Sequence, residues 1–319
     1  MRVLVTGATG FLGGTAARLW QSAGMDVVGV GRDPVRGAAL QAAGVEWVQV
    51  DLLNRGSWEP LFDRVDAVFH AAALSSLWGR WPDFYRQNVQ VSAAVAEACA
   101  RRGLRLVHVS TPSVYNATGW TQNVGEDTPL GPTFDSLYAK SKYQAEVAVQ
   151  RACPDACLIR PRGIYGVGDT SIVPRLVRAL RTGHLPRLTR TEVFTELTHV
   201  RNVVRAAELA LHSRVAGIFN VTDGVATPIW HTIDLLADTL NLTRPQRHVP
   251  PRLVEGAAGV LERVYALHPA RPEPPITASS VRLLTRGMTL DLTRARERLG
   301  YQPVISPPEG LAEVLRSLA

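Results

Sequence analysis

The first half of the chain repeats one pattern: a short apolar run, then a longer segment with apolar residues every three or four positions. The runs are 2–7 (RVLVTG), 26–32 (DVVGVGR), 45–51 (VEWVQVD), 66–72 (DAVFHAA), 104–110 (LRLVHVS) and 156–166 (ACLIRPRGIYG). They are short, rich in Val and lack strict alternation, which predicts strands buried on both faces. Helical patterns lie between them near 11–23, 35–43, 55–63, 84–102 and 137–152. Strands alternating with helices predict an α/β fold with a doubly wound parallel sheet and right-handed crossovers. After residue 166 the pattern loosens. Helices are expected near 172–182, 201–213, 228–240, 251–267 and 305–318, and short strands near 193–198, 217–221 and 288–291. The Pro-rich stretch 268–278 is expected to be an ordered loop or a lobe edge. This predicts a smaller C-terminal α+β lobe, with some chain crossing back to the sheet.

Composition adds limits. The 319 residues are 46% hydrophobic and 20% charged, a globular balance with enough chain for a large core. No apolar run approaches the roughly 20 residues of a membrane span. The opening residues enter the first strand directly, so no signal peptide is expected. Cys99, Cys153 and Cys157 have no accompanying His or Cys cluster, so reduced thiols, no metal and a cytoplasmic location are expected. The net charge is +7, but the arginines are scattered, which predicts solvated helix faces and no nucleic-acid partner.

The stretch VTGATGFLGG places Gly7, Gly10 and Gly13 between the first strand and the first helix. Gly7 suits a tight turn, Gly10 a close approach of backbone to a pyrophosphate, and Gly13 close packing of helix on strand. The helix N-terminus then faces the anion. Thr9, Phe11 and Leu12 share this loop and are candidate cofactor contacts. The second strand ends in Arg32, where an acidic residue would bind ribose hydroxyls and an Arg suits a 2′-phosphate. NADP(H) is therefore favoured over NAD(H), with Arg36 close behind and Asp33 one residue late for the ribose role. Arg32 can equally stack on adenine. Asp51 and Leu52, after the third strand, are candidates for the adenine edge, although Asp51 also suits a helix N-cap.

Only two of the 35 basic residues are Lys, and both lie in YAKSKYQAE. Tyr138 and Lys142 are four apart and share a helix face. A phenol is a poor acid–base group at neutral pH, and a nearby ammonium stabilises its phenolate. The compact amine suits this task better than a planar guanidinium. A plain surface pair of Lys142 with Glu146 is the alternative. Lys140 lies roughly 200° round the helix from Tyr138 and has no such role. At the end of the fifth strand Ser110, Thr111 and Ser113 offer hydroxyls to a substrate oxygen, or simply form a Ser/Thr turn.

These motifs in this order, TGATGFLG, DLL, HAAA, Asn88–Val89, STPSVY, YAKSKYQAE and RPRGIYG, resemble the extended short-chain dehydrogenase/reductases of the NAD-dependent epimerase/dehydratase superfamily. The resemblance covers essentially the whole chain. It implies a Rossmann domain over 1–166 and mainly a substrate lobe over 167–319. It implies Tyr138 as acid/base, Lys142 as its modulator, Thr111 as donor to the substrate carbonyl, and Asn88 as a structural or proton-relay member. It also implies that Ala71, Ala72 and Ala73 line the cofactor, with Pro161 and Ile164 near the nicotinamide amide, and that the protein is a homodimer.

Several segments are further similar to the 3β-hydroxysteroid dehydrogenase-like branch, including its bacterial 2-alkyl-3-ketoalkanoate reductases. That implies interconversion of a ketone and a secondary alcohol on an apolar keto acid or sterol-like substrate. Nucleotide-sugar members usually carry an Asn after the sixth strand, where this chain has Gly163. Arg201 departs from the branch, many of whose members have Asp there. Leu77, Trp78, Trp81 and Phe84 can form an apolar substrate wall, or pack as an ordinary loop on the core. A nucleotide-sugar epimerase or dehydratase is the alternative enzyme, and a non-catalytic dinucleotide sensor the alternative of another class. The apolar helix 251–267 is open to four readings: core packing, a substrate lid, a dimer face or a membrane-surface contact.

Overall fold

The computed structural model describes residues 1–183, 185–269 and 271–318. Residues 184, 270 and 319, which fall in the expected second lobe and for 270 in the Pro-rich stretch, lie outside the described residues. The doubly buried runs become β1 (Arg2–Thr6), β2 (Asp26–Gly31), β3 (Glu46–Gln49), β4 (Ala67–His70), β5 (Arg105–Val109) and β6 (Cys157–Pro161). Three short strands follow, β7 (Ile164–Tyr165), β8 (Phe194–Glu196) and β9 (Thr198–His199), then β10 (Gly217–Val221) and β11 (Ala226–Pro228). The large sheet is parallel, in the order β3-β2-β1-β4-β5-β6-β10. Its order reverses between β1 and β4, and a doubly wound sheet binds ligands in the crevice at that reversal.

The helices of the first half are α1 (Phe11–Ser22), α2 (Pro34–Ala42), α3 (Arg55–Trp58), α4 (Trp81–Phe84), α5 (Val91–Arg102) and α6 (Leu137–Ala152). Those of the second half are α7 (Ile172–Arg181), α8 (Val200–Leu211), α9 (Ile229–Thr239), α10 (Pro251–Leu267), α11 (Ala278–Thr285), α12 (Thr293–Leu299) and α13 (Pro307–Leu318). One face of the sheet is covered by α1, α8 and α12, through Trp20, Phe69, Val203 and Tyr301. The other is covered by α3 with the residues just after it, α5 and α6, through Trp58, Phe62, Val95 and Val149. A separate core around Trp230, Leu236 and Val281 joins α7, α9 and α11.

The departures from the sequence expectations have local causes. The helix expected over 55–63 ends early, and a tighter turn over Glu59–Arg64 continues it, with Pro60 in its first turn. The helix expected over 84–102 is interrupted by a wide, π-type turn over Tyr85–Gln90. The run 156–166 breaks into β6 and β7 at Gly163, whose φ is +50°. The strand expected over 288–291 is an isolated bridge from Leu290 to Val124. α11 was not foreseen, although Thr277 and Ser280 form a capping box at its start. The segment 217–221 joins the large sheet beside β6.

One buried ion pair ties helix to sheet. Arg160 on β6 donates to both oxygens of Glu146 on α6, at 2.8 and 2.6 Å. Both side chains are almost fully buried. Arg160 also donates to the Tyr115 hydroxyl, which donates in turn to Asn220 Oδ1 on β10 at 3.0 Å. Removing one member leaves an uncompensated buried charge. Glu146→Ala is therefore expected to lower unfolding free energy by about 3–5 kcal/mol, read from urea denaturation. The double variant Glu146→Ala/Arg160→Met should recover part of that loss.

Candidate active site

Three loops meet at the reversal point. Gly7 has φ +68°, and a Cβ there would lie 2.9 Å from the Ala72 backbone, so the turns after β1 and β4 touch. Gly10 N–H donates to the Gly7 carbonyl at 2.8 Å. A Cβ at Gly13 would lie 2.4 Å from Gly7 O, so α1 packs directly on the turn. The first-turn N–H groups of α1 lack intrahelical acceptors and carry the positive end of the helix dipole. Leu12 contributes such an N–H group, while its side chain packs in the core. Phe11, the first residue of α1, is half-buried and packs against the same core.

A groove of about 420 Å³ runs from this turn. It is lined by Gly7, Thr9 and Gly10, by Arg32, by Asp51 and Leu52, and by Ala71, Ala72 and Ala73. Gln87 and Val91, just before and at the start of α5, also line it. Neither was a sequence candidate, because the wide turn that brings them round leaves no clear periodic signal. Asp33 and Arg36 line the groove as well, and Asp33 also caps α2, its Oδ1 accepting from Val35 and Arg36 N–H at 3.0 and 3.1 Å, while Oδ2 faces the Arg36 guanidinium at 3.5 Å. Arg36 also donates to the Thr9 carbonyl at 3.1 Å. The Arg32 guanidinium is exposed and has no ion pair among the described residues. Asp51 accepts from Leu53 N–H at 3.0 Å, so it organises its own turn while lining the groove.

The acid–base candidates stand beyond β5. Ser136 caps α6, and Tyr138 follows in its first turn. The Ser75 and Thr111 hydroxyls neighbour the Tyr138 phenol and favour its ionised form. Ser75 was missed by the sequence reading, in which SS of ALSSLWG carried no distinguishing pattern. Burial raises the Tyr138 phenol above its ordinary value, and bonds from Ser75 and then Thr111 oppose this only partly. Thr111 Oγ1 donates to Ser113 Oγ at 3.1 Å and accepts from Ser113 N–H at 3.2 Å, so the two hydroxyls form one turn. Ser110 Oγ is buried and has no hydrogen-bond partner among the described residues.

Lys142 is buried, and its ammonium donates to the Val109 carbonyl at 2.7 Å. Its Nζ also lies 3.4 Å from Nε2 of the buried His108. Burial lowers Lys142 from 10.5 to about 8, with Glu146 opposing. His108 is held well below its ordinary range by burial, then by Lys142 and His70. His70 is lowered to about 3 by burial and Lys142. Both rings are thus neutral near pH 7. His70 lies 2.7 Å from Thr6 Oγ1, which accepts from Ala72 N–H at 3.2 Å. The surface pair of Lys142 with Glu146 is not formed, because Glu146 belongs to Arg160.

Asn88 is fully buried within the π-type turn. Its Oδ1 accepts from Leu74 N–H at 2.7 Å, and its Nδ2 donates to Leu74 O at 3.2 Å and Ser141 Oγ at 2.8 Å. Ser141 donates to the Tyr138 carbonyl at 2.8 Å. Asn88 therefore fixes the Ser75 loop and the Tyr138 turn to each other.

The remaining candidates divide. Trp78 is half-buried, and its Nε1 donates to the Arg271 carbonyl at 3.0 Å, so the loop after β4 reaches the Pro-rich segment. Leu77 beside it is half-buried too. Phe84 is core, packed under Gly79. Trp81 lies 4.6 Å under the Lys140 ammonium, a cation–π contact that gives the second Lys a partner away from Tyr138. Pro161 is buried at the end of β6, and Ile164 is half-buried in β7. A Cβ at Gly163 would lie 2.7 Å from Leu197 Cδ2, so a larger residue there would displace the Leu197 side chain. Arg201 pairs with Glu313 at 3.3 Å, joining α8 to α13. The described residues contain no group of three or more His, Cys, Asp or Glu able to hold a metal ion, and no helix long and apolar enough to cross a membrane.

The glycine cradle that a Cβ would fill, the open first turn of α1, the groove and the orphaned Ser110 hydroxyl all fit a dinucleotide. The sequence model of the NAD dependent epimerase/dehydratase family matches residues 3–222. A 2-alkyl-3-oxoalkanoate reductase of Stenotrophomonas maltophilia is 31% identical, covering 100% of both chains. A 3beta-hydroxysteroid-dehydrogenase/decarboxylase of Arabidopsis thaliana is 32% identical over 89% of this chain and 69% of its own length. Among solved structures, MoeE5 in complex with UDP-glucose and NAD is 25% identical, with a TM-score of 0.74 over 99% of this chain and 98% of that one.

The depressed Lys142 pKa has a stability consequence. Between about pH 8 and 10.5 the unfolded chain holds a proton on Lys142 that the folded chain releases. Stability contributed at this position thus rises with pH across that window, by on the order of 3 kcal/mol, and the penalty is fully present below it. Urea unfolding of wild type and Lys142→Met across this range should show the difference between them shift by that amount. An unchanged difference would disprove the buried ammonium.

Proposed function

The chain belongs to the NAD dependent epimerase/dehydratase family, and within it we propose that this protein interconverts a ketone and a secondary alcohol on an apolar substrate. The observation that carries this reading is the neighbourhood of the Tyr138, Ser75 and Thr111 hydroxyls, with the buried Lys142 one helical turn further along α6. Bound nicotinamide would supply or accept the hydride. The residues of the chain would do the rest. Tyr138, protonated at neutral pH, would deliver the proton to a carbonyl oxygen during reduction. Thr111, with Ser75, would donate to that oxygen and hold it. Lys142 would stabilise the phenolate left on Tyr138, and Asn88 would keep the two turns in register. Leu77 and Trp78 would line the apolar side of the substrate.

We propose NADP(H) over NAD(H), on the unpaired, exposed Arg32 at the groove and on Asp33 being engaged in capping and pairing. The likeness to a UDP-glucose complex favours a second reading, nucleotide-sugar chemistry. Gly163 speaks against it: the chain offers no side chain at the position where the resemblance expects an Asn toward a diphosphate.

Tyr138→Phe should lower kcat on a panel of 3-keto acids and steroid ketones by about 10²-fold or more while NADPH titration is unchanged. Undiminished turnover with cofactor bound would falsify the acid–base assignment. Arg32→Ala should weaken NADPH binding about 10- to 100-fold, the worth of a charged hydrogen bond, and leave NADH binding nearly unchanged. A wild-type protein that binds NADH more tightly than NADPH would remove the role given to Arg32.

A further inference from the structure

We propose that α10 docks on an anionic lipid surface, laying an outer apolar stripe into the interface. The stripe consists of Leu253, Ala257, Val260, Val264 and Leu267, spaced four, three, four and three residues apart on one line of the helix. Leu253, Val260, Val264 and Leu267 are 66, 60, 57 and 86% exposed. Isolated exposed apolar residues are ordinary, whereas a continuous helical line of them marks a contact surface.

The charges on α10 are sorted. Its two carboxylates are engaged with α11: Glu255 pairs with Arg282 at 2.6 Å, and Glu262 accepts from Ala278 N–H at 2.9 Å. Arg252 and Arg263 are exposed and unpaired among the described residues, and both flank the stripe on the same side. The outer face thus carries positive charge and no free acid, the pattern of a helix that lies in a membrane interface. A second copy of the chain fits less well. Two such faces packed together would bring arginines near arginines with no carboxylate to meet them, while lipid phosphates and phosphatidylserine supply the missing charge.

The location is consistent with access to the site. The segment after α10 is held at Arg271 by Trp78. The Asp135 carbonyl, just before α6, accepts from Ser279 and Arg282 of α11 at 3.2 and 3.1 Å. Docking through α10 would therefore bring the loop after β4 and the start of α6 toward the lipid, where apolar molecules concentrate. The docking itself stands without the proposed activity.

The test is sedimentation of the full chain with phosphatidylcholine vesicles, with and without phosphatidylserine. Binding should require phosphatidylserine, weaken with salt, and fall about tenfold or more in Val260→Asp and Val264→Asp. Arg252→Gln/Arg263→Gln should lose the preference for the anionic lipid. These positions are on the surface, and an unchanged thermal melt verifies folding for each variant. Three outcomes overturn the proposal. One is no sedimentation with either lipid. Another is binding untouched by the α10 variants. The third is a dimer that Val264→Asp converts to monomer while vesicles leave it intact.

Discussion

The site depends on how α6 is seated on the sheet. Two ionised side chains one helical turn apart, Lys142 and Glu146, are buried beneath this helix, and each has a different strand as its partner. Lys142 donates to the carbonyl of Val109 on β5, and Glu146 takes both arms of Arg160 on β6. A buried charge without its partner is far more expensive than one with it. The pair of contacts therefore fixes both the rotation of α6 and its position along the strands. Tyr138, on the turn before, inherits that placement, and so does Ser141, through which Asn88 joins the helix to the loop after β4.

The groove at the glycine turn is fixed by contact rather than by charge. Gly7 and Ala72 stand so close that a single methyl would separate the turns of β1 and β4. Thr6 reinforces this junction, accepting from Ala72 N–H and meeting His70 below it. Both halves of the site therefore share β4 and the loop that follows it. Burial keeps His70 and His108 uncharged, so the Lys142 ammonium is the only nearby cation in that buried cluster and nothing within it competes for the Val109 carbonyl.

Hydroxyls and amines at this site are tuned in opposite directions by the same burial. Tyr138 is raised and Lys142 is lowered, because a low-dielectric surrounding disfavours whichever form is charged. The resting state is thus a neutral phenol and, one helical turn further along α6, an ammonium that gives up its proton more easily than an exposed Lys does. In the proposed reaction, release of the Tyr138 proton would therefore depend on added positive charge or a substrate oxygen near the phenol.

The local pattern of the chain was enough for the six strands β1 to β6, the glycine turn, and the helix carrying Tyr138 and Lys142. Each is written in residues near one another: periodicity, a Gly-x-x-Gly-x-x-Gly spacing, a four-residue offset. Contacts between distant segments were not legible in this way. Ser75 stands next to Leu74, which Asn88 holds from 14 residues away, and Gln87 enters the groove from the wide turn before α5. Segment 217–221 reads as a short strand by itself, and only its partner β6 makes it the seventh strand of the sheet. Lys140, left without a purpose by helical geometry, lies over Trp81, a residue 59 positions away. Local propensity sets which element a segment forms. Which side chains then share a buried polar network depends on the energy of burying them together, and that exists only once the elements have packed.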